Sequence, residues 1–134
     1  MTSELLKPAL YTREGFAAER AYPALLGGSC ACGYIFFPMQ NFGCERCGRT
    51  DVKPRALSGR GELIASARVH LHAGKNRSAP FTVGSIRLAD GPIVRTLLID
   101  DDRPFRPGDA VAAALIEVRD GEGNAKQDLR FARA

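Results

Sequence analysis

The feature that most constrains this sequence is the grouping of its cysteines. All four cysteines of the chain fall within 18 residues, at Cys30, Cys32, Cys44 and Cys47. Glycine follows each pair, at Gly33 and Gly48, and glycine permits the positive φ of a tight turn in which two thiolates converge on one ion. Two such turns supply four sulfur ligands in a tetrahedral arrangement. The sequence therefore predicts a metal site formed by the four cysteines.

The spacing between the two pairs favours a zinc ribbon. Eleven residues separate Cys32 from Cys44, and they include the strand-like run 34–37, which suits a short hairpin between two metal-binding turns. Four thiolates leave no open position for a catalytic water, so we expect structural zinc. Two disulfides or redox-active thiols are the alternatives. A cytosolic setting disfavours the disulfides, and redox-active thiols would call for a C-x-x-C pair before a helix.

Length and hydropathy limit the class of protein. The chain has 134 residues, of which 45% are hydrophobic and 25% are charged, which suits one domain with a metal-bound appendix. Its apolar stretches are far shorter than the roughly 20 residues of a transmembrane helix. The first residues lack a basic segment followed by an apolar core, so nothing indicates secretion. We therefore expect a cytoplasmic protein that does not enter a membrane.

A short helix is predicted before the cysteines. The run from Thr12 to Tyr22 has a hydroxyl residue suited to the N-cap, and Pro23 follows it. Phe16 and Tyr22 do not share one helical face. The segment cannot form a core of its own, so it either packs on the ribbon or reaches a partner.

From Gly59 onward the apolar residues recur with period two. In the run Leu63–His72, the odd positions 63, 65, 67, 69 and 71 are apolar, which predicts a strand with those side chains facing the core. In the next run the apolar phase changes between Val83 and Ile86. This change predicts a β-bulge at residues 84–85 that bends one long strand.

Turn signals divide the rest of this half into strands. Turns are predicted at 90–91, 106–109 and 120–124, leading into strands at 93–99, 110–118 and 126–131. Five antiparallel strands in about 75 residues suit an OB-type barrel, with an SH3-like barrel as the alternative. The chain is thus predicted to be mainly β, with an N-terminal arm and helix over 1–26, a zinc ribbon over 27–58 and an OB-fold domain over 59–134.

Three short runs resemble a known family. Residues 32–38 (CGYIFFP), 44–48 (CERCG) and 78–84 (SAPFTVG) are similar to acyl-CoA-associated OB-fold proteins with an N-terminal rubredoxin-like zinc ribbon, long catalogued as a domain of unknown function. The resemblance covers residues 12–132. Cys44 and Cys47 match the second ligand pair of the family, and Cys32 matches the second cysteine of its first pair. Ser29 stands where the family has its first cysteine, and Cys30 is displaced by one position.

The resemblance implies a function. Members of this family are small, generally non-catalytic subunits or domains that pair with thiolase-like enzymes or with acyl-CoA hydratases, and in size and layout the chain is similar to accessory subunits such as that of benzylsuccinyl-CoA thiolase. We therefore expect a hetero-oligomer in which this chain supports acyl-CoA binding, with acyl-CoA as a ligand shared with the partner. We expect no catalytic residues in the chain itself.

The residues outside the cysteine cluster are consistent with an accessory role. His70 and His72 share one face of a predicted strand, and no nucleophile in the sequence near them completes a triad. In the loop after that strand, His72, Lys75, Asn76 and Arg77 are candidate contacts for the phosphates of coenzyme A or for an acidic partner, an ordinary solvated loop being the alternative. The three carboxylates of 100–102 are predicted to form a solvated turn.

A nucleic-acid-binding module is the second hypothesis. The net charge is +4, but it is spread thinly, with seven Lys/Arg against five Asp/Glu in residues 1–58 and twelve against ten in residues 59–134. OB barrels that bind single strands stack bases on exposed aromatic rings. The barrel region holds only Phe81, Phe105 and Phe131 as aromatic residues, and the first and last are predicted core positions. An independent hydrolase or transferase, the third hypothesis, lacks a nucleophile with a general base.

Overall fold

The computed structural model describes residues 4–15, 22–70 and 80–134. Its strands, in chain order, are β1 (Glu4–Leu5), β2 (Leu25–Ser29), β3 (Ile35–Phe36), β4 (Lys53–Leu57), β5 (Arg60–Val69), β6 (Phe81–Leu88), β7 (Ile93–Leu98), β8 (Ala110–Arg119) and β9 (Ala125–Arg133). Within these described ranges, no helix is long and apolar enough to cross a membrane.

Five strands close into a barrel. Strand β5 pairs with β6, β6 with β7, β7 with β9, β9 with β8, and β8 returns to β5. Four of these pairings are antiparallel. The fifth, between β7 and β9, is parallel and is registered at Leu98 and Phe131. This closed five-stranded order is consistent with an OB fold, so the predicted class, mainly β with a five-stranded barrel, is confirmed.

The predicted turns lie between the strands as expected. Residues 90–91 connect β6 to β7, residues 106–109 lead into β8, and residues 120–124 connect β8 to β9. In the last of these turns, the Asp120 carboxylate accepts hydrogen bonds from the backbone N–H groups of Glu122 (2.9 Å) and Asn124 (2.8 Å). Asp is favoured in turns because its side chain can replace backbone partners in this way.

The β-bulge lies in β5 and not in β6, where the sequence predicts it. Strand β6 runs without interruption, and its even-numbered residues are buried. Leu63 pairs with Ile86 and Ala65 pairs with Ser85, so Ile64 is the extra residue. The bulge in β5 therefore lies opposite residues 85–86 of β6, next to the predicted position.

Beyond this bulge, β5 leaves the barrel wall. It pairs with β8 only over residues 60–62, and among the described residues the rest of the strand pairs with β6 alone. Ala65 and Ala67, predicted to face the core, are exposed, as are the other residues of 65–68. The prediction is wrong at these two positions because alternation produces burial only where a second layer covers one face of the strand.

The barrel core continues into the ribbon. Leu63, Ile86 and Phe131 are completely buried at the centre of the barrel. Leu25 and Leu57, which face each other across strands β2 and β4, belong to the same cluster of buried side chains. The three-stranded sheet β3-β2-β4 of the ribbon thus packs against the barrel instead of forming a separate core.

The N-terminal arm joins the same core. Strand β1 adds to the barrel sheet in parallel to β9, and Tyr11, which is buried, forms a β-bridge with Leu25. The helix predicted over 12–22 is not formed at residues 12–15 or at Tyr22, and residues 16–21 lie outside the described residues. The Thr12 hydroxyl does not cap a helix there, since it donates to the carbonyl of Glu14 (2.6 Å).

A buried polar group ties the arm to the barrel. The Tyr11 hydroxyl lies 2.9 Å from Asp128 Oδ1 and 3.0 Å from the carbonyl oxygen of Gln127, and Asp128 is also paired with Arg130. Burial raises the pKa of Tyr11 to about 12, and the Asp128 carboxylate adds to this rise. Burial pushes the pKa of Asp128 upward, but hydrogen bonds from Arg130 and Tyr11 outweigh it and hold that pKa below 3.8.

We predict that Tyr11→Phe lowers the free energy of unfolding by about 1–2 kcal/mol, because it removes a hydrogen bond to a buried carboxylate. The matched control is Tyr34→Phe, which removes an exposed hydroxyl contact of 3.3 Å to Glu45 and is expected to change stability little. Urea unfolding of both variants measures the difference.

The pH dependence of this loss follows from Asp128. A carboxyl whose folded pKa is lowered stabilises the fold above its ordinary pKa of 3.8, and that contribution disappears as pH falls through the folded pKa. The stability difference between wild type and Tyr11→Phe is therefore expected to be full at neutral pH and to shrink below pH 3.8. A difference that stays constant down to strongly acid pH would contradict this role of Tyr11.

Candidate metal centre

The first pair of cysteines lies in the turn between β2 and β3. The backbone N–H of Cys30 donates to the carbonyl of Tyr34 (2.9 Å), and the N–H of Gly33 donates to the carbonyl of Cys30 (2.9 Å). Gly33 has φ of 97°, a conformation that side chains with a Cβ rarely adopt. These bonds close a tight loop from which Cys30 and Cys32 face the second pair.

The second pair lies in a loop of similar geometry before β4. The N–H of Cys44 donates to the carbonyl of Arg49 (2.7 Å), and the N–H of Gly48, whose φ is 81°, donates to the carbonyl of Cys44 (2.9 Å). The N–H groups of Arg46 and Cys47 both point at Cys44 Sγ from 3.4 Å. Such N–H···S contacts stabilise a thiolate, as the predicted metal-binding turn requires.

The four sulfur atoms come together at one point. All four lie within 4.8 Å of one another, with 3.5 Å between the Sγ atoms of Cys30 and Cys47 and 3.7 Å between those of Cys32 and Cys44. A tetrahedral ion with metal–sulfur bonds of about 2.3 Å would place its sulfur atoms about 3.8 Å apart. A disulfide would require about 2.05 Å. The four cysteines are free thiols in a geometry that can hold one metal ion.

The displaced cysteine still reaches the cluster. Ser29, at the position where the resembling family has its first cysteine, is the last residue of β2 and pairs with Ile35 and Lys53 in the sheet. Cys30, the next residue, is already in the turn and is buried against the other thiols. The shorter C-x-C spacing is therefore compatible with four converging sulfurs.

The environments of the thiols differ. Burial tends to raise the pKa of Cys44, but the N–H donors of Cys47 and Arg46 outweigh it and lower that pKa to about 7. For Cys30, a hydrogen bond from the Cys32 backbone favours the thiolate, yet burial and the neighbouring thiols together raise its pKa to about 12. Four thiolates at this separation repel one another, so a bound cation is what would let all four ionise.

A side chain that the sequence analysis did not single out orders the approach to the second pair. Gln40 Nε2 donates to the carbonyl of Gly43 (2.6 Å), and Gln40 Oε1 accepts from the N–H groups of Phe42 (2.5 Å) and Gly43 (3.1 Å). These three bonds fix the segment immediately before Cys44. A glutamine has no local sequence pattern that marks this role, which depends on the folded path of the chain.

The other predicted site residues have different outcomes. His72, Lys75, Asn76 and Arg77 lie outside the described residues, so their role as coenzyme A or partner contacts stays a prediction. The strands on either side of them, β5 and β6, are paired as far as Val69 and Phe81. His70, in contrast, is described, and it is exposed immediately after the end of β5.

The three adjacent carboxylates form an exposed turn held by arginines. Asp100 Oδ1 accepts a hydrogen bond from the Thr82 hydroxyl (2.7 Å) and lies 3.4 Å from Arg68. Asp101 pairs with Arg133 (2.9 Å), whose hydrogen bond is the main reason that the pKa of Asp101 falls to about 2. Asp100 and Asp101 are thus paired with different arginines.

We predict that the chain binds about one Zn²⁺ or Co²⁺ ion, and that Cys30→Ser weakens this binding by more than about tenfold. Mutation of a residue that only hydrogen-bonds to a metal ligand already lowers metal affinity by about tenfold, so the loss of a ligand itself should cost more. Cys47→Ser is expected to behave in the same way. Metal analysis and titration with Co²⁺, whose thiolate absorption reports the ligands, provide the measurement.

Ser29→Ala is the matched control for this experiment. It changes the neighbouring residue, which is in β2 and outside the sulfur cluster, so metal affinity should stay unchanged. Equal metal affinity of Cys30→Ser and wild type would contradict a site of four sulfurs.

Comparison with known proteins supports the description of the barrel. Residues 54–115 match the protein family described as "ChsH2, C-terminal OB-fold domain". A chain of the solved "Ltp2-ChsH2(DUF35) aldolase" has the same fold, with a TM-score of 0.67 and 21% identity over 82% of this chain and 84% of that one.

Two relatives are similar along most of the chain. A "DUF35 domain-containing scaffold protein" of Pyrococcus furiosus is 26% identical over 98 residues, covering 72% of this chain and 71% of the relative. A protein of the same description from Methanocaldococcus jannaschii is 27% identical over 118 residues, covering 85% and 79%. The resemblance seen in the sequence is confirmed as a similarity: residues 54–115 match the ChsH2 C-terminal OB-fold domain, and the chain is similar to two proteins described as DUF35 domain-containing scaffolds.

Proposed function

We propose that this chain is a zinc-binding accessory subunit, not catalytic by itself, that associates with a thiolase-like enzyme or an acyl-CoA hydratase. It supports acyl-CoA binding and the assembly of a hetero-oligomer with that enzyme. The observation that carries the proposal is the similarity to two proteins described as scaffolds, each over more than two thirds of its length. The solved relative described as an aldolase shares the fold, which supports an enzyme as the kind of partner.

Zinc is the metal that we propose for the sulfur cluster. It accepts four thiolates in tetrahedral geometry, and the observed sulfur separations suit its bond length. A zinc ion with four sulfur ligands supplies cross-linking and charge neutralisation. Cys30, Cys32, Cys44 and Cys47 would hold it.

The cysteine cluster also supports a non-catalytic role for this chain. All the cysteines of the sequence are in the cluster, so a nucleophilic cysteine for acyl transfer has to come from the partner.

We also propose the division into an arm over 1–26, a rubredoxin-like zinc ribbon over 27–58 and an OB-fold domain over 59–134. The position of the barrel strands within 60–133 supports this division.

The cytoplasm is the compartment that we propose. Reducing conditions there keep cysteines as thiols that can bind metal. All four cysteines are free thiols in the structure, which supports this location.

Binding of nucleic acid fits the barrel less well. Phe131 is completely buried, and Phe81 and Phe105 are partly covered, so these rings do not form an open row on which bases can stack. Arg133 already lies over the Phe105 ring, at 4.8 Å from its centroid.

We predict that the tagged chain, purified from its source cells, elutes together with a thiolase-like enzyme or an acyl-CoA hydratase. The complex should turn over an acyl-CoA, and the isolated chain should not, because all four cysteines of the chain are in the proposed zinc site and none is left to act as a nucleophile. Size-exclusion chromatography, mass spectrometry and an acyl-CoA assay give the result. Turnover by the isolated chain, or recovery without any acyl-CoA enzyme, would overturn the proposed function.

We predict in addition that Lys75→Ala combined with Arg77→Ala raises the KM of that complex for acyl-CoA by about tenfold, because each cation contributes a charge-assisted contact to phosphate. The matched control is Arg87→Ala, which removes an exposed cation from β6. A KM that responds equally to both sets of changes would show a general effect of charge and would argue against these contacts.

A further inference from the structure

One aromatic side chain of the ribbon stands almost entirely in solvent. Phe42 is 94% exposed, and among the residues that the structure describes the only other large hydrophobic side chain of this kind is Ile93, at 57%. An exposed aromatic ring is unfavourable in water, and such rings are common anchors of protein interfaces.

The backbone under this ring is fixed. Gln40 Oε1 accepts the N–H of Phe42 itself, and the amide group of Gln40 bonds Gly43 on the other side. Gly43 is followed by Cys44, whose N–H is bonded to Arg49 within the second cysteine loop. The loop that carries Phe42 is therefore held to the sulfur cluster. Because this loop is already ordered, binding of a partner through the ring loses little conformational entropy.

Exposed cations follow Phe42 in the chain. Residues 40–55 carry four Lys/Arg and two Asp/Glu, and the four cations are all exposed. Arg55 lies 3.8 Å from Asp90. The ion pairs found within residues 4–15, 22–70 and 80–134 do not involve Arg46, Arg49 or Lys53. Exposed cations of this kind can pair with carboxylates at the rim of a partner's pocket.

We propose that Phe42 is the anchor by which this chain docks on its partner enzyme, inserting into an apolar pocket rimmed by carboxylates. The proposal rests on the accessory function proposed above and names the residue that performs the docking. Arg49, whose carbonyl oxygen accepts the N–H of Cys44 at the end of the Phe42 loop, faces the acidic rim. Gln40 acts as a positioning residue that holds the ring outward.

A protein fits this surface better than a nucleic acid does. Single-stranded nucleic acid is bound by several rings on which successive bases stack. Phe37, the nearest aromatic residue in the sequence, packs against the buried core. Tyr34 and Phe36 stack on each other with centroids 5.8 Å apart, and Phe36 is buried. Glu45 and Asp51 place negative charge among the cations, which opposes a continuous phosphate backbone.

The test measures the affinity of purified variants for the enzyme recovered with the wild-type chain. We expect Phe42→Ser to weaken binding by about tenfold or more, as for a buried aromatic anchor, and Phe42→Leu to restore most of the affinity. Gln40→Ala should weaken binding by about threefold, because the loop must then be ordered on association. In the two Phe42 variants, metal content and thermal midpoint should stay at the wild-type values, since the Phe42 side chain packs on little of the chain.

The matched control is Ile93→Ser, which removes another exposed apolar side chain and should change affinity by less than about threefold, as expected outside an anchor. If Phe42→Ser and Ile93→Ser weaken binding equally, or if Phe42→Ser binds like wild type, the anchor is overturned while the accessory function stands. If the wild-type chain recovers no enzyme, both proposals fall. Binding of oligothymidine that is lost in Phe42→Ser would overturn the anchor in favour of nucleic acid.

Discussion

The convergence of four sulfur atoms is the constraint on which the ribbon depends. Strand β3 has two residues and the longest pairing in the ribbon sheet, between β2 and β4, has five, so hydrogen bonding alone gives this segment little stability. The two loops approach each other through Cys30, Cys32, Cys44 and Cys47, and a bound cation would replace sulfur repulsion with attraction. With the loops joined, Leu25 and Leu57 are held against the barrel, where they complete its core.

Local patterns in the sequence were enough for the parts of the fold that depend on local physics. The turns at 90–91, 106–109 and 120–124 were predictable because Asp and Gly favour those backbone conformations. The cysteine pairs with their following glycines predicted the two loops correctly. Two closely spaced cysteines followed by a glycine that can adopt positive φ are typical of metal-binding turns. The five barrel strands followed from period-two alternation combined with those turns.

What the sequence did not reveal depends on contacts between distant residues. Ala65 and Ala67 continue the alternation of β5, but only the pairing of β8 decides where the barrel wall ends. Tyr11 and Asp128 meet across 117 positions, and neither has a neighbouring signal for that contact. The sequence predicted the register shift at the correct height along the β5–β6 hairpin but in the wrong strand. An extra residue in either of two paired strands produces the same shift between them, so the sequence of one strand does not decide which strand carries it.

The single cluster of buried side chains shared by arm, ribbon and barrel has a consequence for the degradation of the protein in the cell. Because Leu57 and Leu63 belong to one packed core, the ribbon cannot open without uncovering part of the barrel. An ion bound at the cysteines would thus stabilise the whole chain and not the ribbon alone. If the cysteines hold an ion as proposed, its scarcity would expose part of the core and turn intact chains into substrates for proteolysis, so that ion supply would limit how much of the protein persists.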